Sequence, residues 1–195
     1  MGVKLVSVSG GSVEINPPAT ASSFTATMPA GTGNVVVAGI NSAITAATVQ
    51  ASTSGTSIDF TGIPSWVRRI TVMFSGVSTN GSSFILAQIG SGSITSSGYI
   101  SAAAYTGASA GGTTSTAGYV LTAAAGAANN QTGSVVLTLL GSNVWVLSSV
   151  LARQDGYTNT AAGTVTLSGT LDRVRITTVN GTDTFDAGSI NILYE

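Results

Sequence analysis

Along most of this chain apolar and polar residues alternate with a period of two, and the alternation is cut at short intervals by Gly, Asn, Ser and Pro. That period sends successive side chains to opposite faces of an extended backbone, the pattern of a strand with one buried face. Helical periodicity is nearly absent. The one candidate, the Ala-rich patch at residues 121–128, is interrupted by Gly126 and has no capping box before it. The spacing predicts an all-β chain.

The strands fall into two groups. Residues 3–5, 6–8 and 13–15 read as short strands around a Gly10-Gly11 turn, and Pro17-Pro18 ends them because proline cannot donate to a ladder. Residues 24–28 and 35–37 flank a second turn cluster, Pro29-Ala30-Gly31-Thr32-Gly33. Residues 1–47 are too short and too interrupted to bury a core and read as an extended N-terminal β arm, an attachment or trimerisation module. From Thr48 the strands lengthen. Ile70, Val72 and Phe74 share one face, with Thr71, Met73 and Ser75 on the other, and Asn80-Gly81 predicts a hairpin returning through residues 84–89. Residues 135–140 and 144–150 flank Gly141-Ser142-Asn143 as a second hairpin. Residues 164–168, 171–179 and 189–194 make a third set around Asn180-Gly181, with Val174, Ile176 and Thr178 on one face of their strand and Arg173, Arg175 and Thr177 on the other. Residues 90–131, rich in Gly, Ser, Ala and Thr, read either as long loops or as strands too small-sided to recognise. Eight or more strands in residues 48–195 have the size and spacing of an antiparallel β-sandwich, jelly-roll-like.

Charge narrows the function. Only 7% of the residues are charged, and residues 70–152 contain no Asp, Glu, Lys or Arg. A folded 19.2 kDa monomer exposes roughly 8,400 Å², so its six basic and seven acidic residues give roughly one charge per 650 Å². Two readings account for this: a surface covered by identical subunits or other partners, or one solvated by Ser and Thr hydroxyls. A net charge of −1 gives no footprint for nucleic acid. No apolar run approaches the 18 residues of a membrane span, and the start has neither a signal-peptide core nor the Ser or Thr of a myristoylation site at the sixth position. This predicts a protein assembled in the cytoplasm, with no membrane insertion, that leaves by lysis or within a particle.

The inventory for chemistry is thin. With no His and no Cys there is no zinc site of the usual kind, no disulfide and no Ser-His-Asp triad. Asp183 and Asp186 stand three apart in a turn, without the further ligands of a calcium loop or the context of a glycosidase pair; they read as turn-forming residues. Gly31-Thr32-Gly33 and Gly90-Ser91-Gly92 lack the lysine and helix of a phosphate loop. These features predict no catalytic residue, no cofactor and no metal. Among the aromatics, Trp145 lies inside an apolar strand and reads as core. Trp66 follows Pro64 at a strand entrance beside Arg68 and Arg69; these three are the candidate interface or glycan contacts, with the arginines expected to meet carboxylates across a subunit boundary.

The run Thr53-Ser54-Gly55-Thr56-Ser57-Ile58-Asp59-Phe60-Thr61-Gly62-Ile63-Pro64-Ser65-Trp66-Val67-Arg68-Arg69-Ile70-Thr71-Val72-Met73-Phe74, continuing through Asn80-Gly81, resembles a module of tailed-bacteriophage virion accessory proteins, tail-fibre-like ones above all. Asn16-Pro17-Pro18-Ala19 and Met28-Pro29-Ala30-Gly31-Thr32-Gly33-Asn34-Val35-Val36 resemble short repeats at the starts of phage fibres. The resemblance covers about half the chain and implies a non-enzymatic structural protein of the virion, built as a homotrimer and contacting other virion proteins of tail or capsid. A short fibre is the first expectation; a capsid decoration or head-fibre protein is the alternative, and a host-glycan-binding module a further one.

Overall fold

The computed structural model describes residues 3–6, 12–15, 44–127 and 129–195. The chain divides into two compact units, Met1–Val35 and Val36–Glu195. In the first, β1 (Val3–Val6) and β2 (Ser12–Ile15) pair antiparallel, Val3 opposite Ile15 and Val6 opposite Ser12. The strands expected at residues 24–28 and 35–37, and the turns at Gly10-Gly11, Pro17-Pro18 and residues 29–33, lie outside the described residues.

The second unit is all strand: β3 (Thr45–Ala46), β4 (Gln50–Ala51), β5 (Ser57–Thr61), β6 (Arg69–Thr79), β7 (Ile85–Ser91), β8 (Ser93–Ile94), β9 (Ile100–Thr106), β10 (Ala110–Ser115), β11 (Tyr119–Val120), β12 (Gln131–Gly141), β13 (Val144–Arg153), β14 (Thr158–Thr166), β15 (Arg173–Thr178) and β16 (Phe185–Tyr194). A nine-stranded sheet runs β10-β9-β14-β13-β12-β6-β16-β3, with β4 also on β16; a five-stranded sheet runs β11-β7-β15-β5, with β8 on β7. Among the described residues every pairing is antiparallel, and the two sheets enclose one hydrophobic core, an antiparallel β-sandwich. Because β3 sets Ala46 opposite Leu193 of β16, the sandwich takes in residues before the boundary expected at 47/48.

Alternation decides which side chains fill the core. Ile70, Val72 and Phe74 of β6 are buried, as are Val135 and Leu137 of β12 and Trp145, Leu147 and Leu151 of β13. Facing them are Ile58, Ile176 and Ala87, neighbours across β5, β15 and β7, with Tyr119 opposite Ala87. The Tyr119 hydroxyl donates to the Trp145 carbonyl at 2.7 Å, joining the sheets through the core. The Tyr99 ring meets the Tyr119 ring edge-on at 4.9 Å, and its hydroxyl accepts the Ile89 N–H at 2.9 Å.

The hairpin expected at Asn80-Gly81 is instead a crossing between the sheets. β6 pairs with β12 and β16, while β7 pairs with β15, β11 and β8. Ile85, Ala87 and Ile89 therefore pack in the shared core with Ile70, Val72 and Phe74 rather than beside them in a ladder. A two-residue type I′ turn needs positive φ at both central positions, and neither Asn80 nor Gly81 has it. The loop is held by its neighbour: Asn80 N–H donates to the Thr184 carbonyl, and Asn80 Oδ1 accepts the Thr184 N–H, both at 2.9 Å. Asn180-Gly181 likewise carries the chain from β15 in one sheet to β16 in the other. The hairpin at Ser142-Asn143 does form, with φ of 48° and 62° at its two central residues and Gly141 opposite Val144. Residues 90–131 are not long loops: they contain β9, β10 and β11, built largely of Ala, Gly, Ser and Thr.

One end of the large sheet is bent by glycine. Gly76 (φ 64°) and Gly188 (φ 90°) lie together where the ladder skips from Ala187 opposite Ser78 to Ser189 opposite Ser75. A Cβ on Gly188 would stand 2.4 Å from the Gly76 carbonyl oxygen. β12 shifts register against β6 at the same level, between Gln131 and Gly133, so three neighbouring strands bulge together.

Two measurements check this core. Phe74 is 3% exposed, so Phe74→Ala should cost roughly 3–5 kcal/mol, whereas Thr71→Ala on the opposite face should cost less than about 1 kcal/mol in chain stability; equal shifts in thermal melts would refute the register. Burial pushes the Tyr99 phenol from 10.0 up to about 12, against the opposing pull of the Ile89 N–H, and burial also raises Tyr119. The folded phenols resist ionisation more than the unfolded ones, so their contribution is whole below pH 10 and is lost as pH climbs through about 12. Melting temperature should fall steeply across that window, and a flat profile there would contradict the assignment.

Candidate functional site at the Trp66–Tyr194 corner

The three candidate contacts sit on the crossing from β5 to β6. Ile63 and Val67 are buried and anchor it, and between them Val67 N–H bonds the Pro64 carbonyl at 3.1 Å, closing a turn with Ser65 and Trp66 at its tip. Trp66 is therefore 51% exposed, with its ring 5.9 Å from that of Tyr194 and tilted by 50°. Arg68 folds back over the turn, its Nη1 donating to the Ser65 and Val67 carbonyls at 3.0 and 3.1 Å. Arg69 reaches Glu195 Oε1 at 3.1 Å. The main-chain N–H groups of Arg68 and Arg69 both donate to the Glu195 main-chain oxygen, at 2.7 and 2.9 Å.

The sequence brings Trp66, Arg68 and Arg69 together; it does not announce Tyr194 and Glu195, which arrive because β16 runs antiparallel beside β6 with Tyr194 opposite Ile70. Within the chain the carboxylate on Arg69 is that of Glu195, and Arg68 holds carbonyls of its own turn. Tyr194 walls two clefts. One, of about 400 Å³, has Gln50, Asp59 and Thr61 at its rim and Phe60, Ile63 and Ile192 beneath; the other, of about 150 Å³, lies toward Arg69 and Thr71.

The carboxylates are committed to structure. Asp59 forms a two-pronged pair with Arg175 at 2.7 and 2.9 Å, and Asp172 does the same with Arg173 while also accepting the Gly92 N–H. The Arg173 guanidinium holds Asp172 below the usual carboxylate range, and the Arg153 guanidinium does so for Asp155. Arg153 also lies over the Tyr157 ring, 4.4 Å from its centroid. Asp183 accepts the Ser83 N–H at 2.9 Å and the Asn180 amide at 2.6 Å, while Asp186 accepts the Ser78 hydroxyl. Asp183 thus ties its own turn to the loop at residues 80–84, and Asp186 lies not in the turn but in β16. Among the described residues no group of three or more His, Cys, Asp or Glu is placed to hold a metal ion.

Compared with protein-family models, with curated proteins and with solved structures, the chain matches none.

The two tryptophans should separate cleanly. Trp145, 2% exposed in the core, should cost roughly 3–5 kcal/mol as Trp145→Ala, and Trp66→Ala less than about 1 kcal/mol. Denaturant titrations of the two variants read the difference; comparable losses would mean that the corner is a second core rather than an exposed contact.

Proposed function

We propose that this chain is a non-enzymatic structural protein of a tailed-phage particle, a short fibre-type component working as a homotrimer. One observation carries the reading beyond the sequence resemblance. Within the sandwich, β4-β16-β6-β12 faces β5-β15-β7-β11, and the chain crosses between these layers from β4 to β5, β6 to β7, β11 to β12 and β15 to β16. That order supports a jelly roll, the architecture of many viral capsid and lectin domains, with β9, β10, β13 and β14 extending one layer. The engagement of Asp59, Asp155, Asp172, Asp183, Asp186 and Glu195 in ion pairs and hydrogen bonds that tie the fold together supports a scaffold role over catalysis. The segment that carries the resemblance builds β5, the Trp66 turn and the inner half of β6, so it is part of the body itself.

Peptide mass spectrometry of purified virions is the direct test: the protein should be present, at tens of copies for a fibre or hundreds for a capsid decoration. Its absence from particles would sink the reading. The pure protein should release no reducing ends from host capsule or lipopolysaccharide; release abolished by Asp183→Asn or Asp186→Asn would overturn the non-enzymatic part. The half-exposed Trp66 beside Tyr194 favours a second, compatible reading, host-glycan contact. Retention on host polysaccharide that is lost in Trp66→Ala would support it.

A further inference from the structure

The outer faces of the two sheets differ in kind. On the five-stranded sheet the outward positions of β5 and β15 carry Asp59, Arg173 and Arg175. On the nine-stranded sheet one cross-strand row runs Ala102, Ala162, Ser148, Val136, Thr71 and Leu193, each opposite the next on neighbouring strands. The adjoining rows, through Ala104, Ile100 and Thr106, are again Ala, Gly, Ser, Thr, Val, Met and Asn, and their one charge is Arg69 at the margin. Ile100, Val146 and Val150 stand out from this face at 75, 41 and 57% exposure. Next to Ile100 a hollow of about 420 Å³ opens between Ala102, Thr114, Ala162 and Thr164.

We infer that the outer face of the nine-stranded sheet is a subunit contact, and that its occupant is a second copy of this chain. This rests on the self-assembling role proposed above and adds the surface that performs it. Three features select the occupant. First, at about 4.8 Å between strands and about 6.8 Å per two residues the four rows span roughly 800 Å², about what one partner buries in a stable interface. Second, a charged partner would lose water from its charges against a face whose one charge, Arg69 at the margin, is already paired with Glu195, so the fitting surface is itself uncharged, and a second copy supplies one. Third, Ala, Ser and Thr side chains keep the face low, so three copies can turn it toward a common axis and each face can close against both neighbours, while the hollow beside Ile100 admits side chains from an adjoining copy.

The chain has no cysteine, so single thiols report contact directly. Ser148→Cys, a near-isosteric change at the centre of the face, should react with a maleimide at least tenfold more slowly than Thr61→Cys on the charged face, in protein shown by sedimentation to be assembled. The two rates should converge when dilution dissociates it. Ser148→Lys should shift the sedimenting species to a smaller one with its thermal melt retained, and Thr61→Lys should leave it assembled. Equal labelling rates in assembled protein, or a Ser148→Lys variant of unchanged size, would overturn this face as the contact while leaving the assembly itself in place. A wild-type chain that sediments as a monomer at tens of micromolar would overturn the assembly reading and this inference together.

Discussion

Two loops that carry hairpin-like sequences are held side by side by the carboxylate of Asp183, which accepts the Ser83 N–H from one loop and the Asn180 amide from the other. Asn80 closes the same seam from its own side through both of its bonds to Thr184. The consequence is topological. With residues 80–84 and 180–184 fixed against each other, β6 and β16 leave as neighbours in one sheet while β7 and β15 leave as neighbours in the other. Gly81 leaves room for that carboxylate, since a Cβ would lie 2.0 Å from an Asp183 carboxylate oxygen and push the side chain off its bonds. A pair of adjacent crossings gives the sandwich two layers with matched strand order and lets one core form between them.

That seam also marks where the sequence stops being legible. The inward face of β6 and the Ser142-Asn143 hairpin are local, set by alternation and by a turn whose residues accept positive φ, and both are readable from residues alone. Asn-Gly is local too, but its hairpin meaning depends on the asparagine being free to adopt the turn. Here Asn80 is tied to Thr184, 104 residues away. Asn180 spends its side chain inside its own turn on Thr178, Thr182 and Asp183, while its N–H donates to the Ser83 hydroxyl of the other loop. β9 and β10 were hidden for a different reason. Ala, Gly, Ser and Thr differ too little in hydrophobicity for alternation to show, and only the pairing of β9 with β14 and of β10 with β9 reveals them as strands. At the corner, Trp66 was legible as exposed because proline and arginine flank it, whereas Tyr194 and Glu195 join it through a contact spanning 126 residues between Arg69 and Glu195.

Charge in this molecule is local rather than global. Arg69, Arg153, Arg173 and Arg175 each hold a carboxylate of their own chain, and pairs whose carboxylates are this open to water add little to stability. Stability must therefore come from ladders and core. The polar groups inside are placed to suit that: Asn159, fully buried, accepts the Ala123 N–H at 3.0 Å and donates to Gln131 at 3.3 Å, and the two tyrosine hydroxyls find backbone partners. A buried polar group left unpaired costs more than its bond returns, and these are paired; the Ser149 hydroxyl, buried on β13, is the exception among the described residues.

The same economy of charge has an opposite meaning outside. Edge strands of soluble proteins are normally protected by lysine, proline or covering loops, yet the edge of the large sheet at β10 reads Ala-Gly-Gly-Thr-Thr-Ser. Beside it lies a broad face of small side chains. Such a face gains less hydrophobic free energy per residue on burial than one of Leu or Phe, because less apolar area leaves water. It also loses less side-chain entropy than one of Lys, Glu or Gln, whose rotamers would have to be frozen. Ala loses none, and Ser and Thr hydroxyls rotate to whatever acceptor the apposed surface offers. A surface with these properties is poorly defended against association and inexpensive to cover, which is what the subunit contact proposed for it requires.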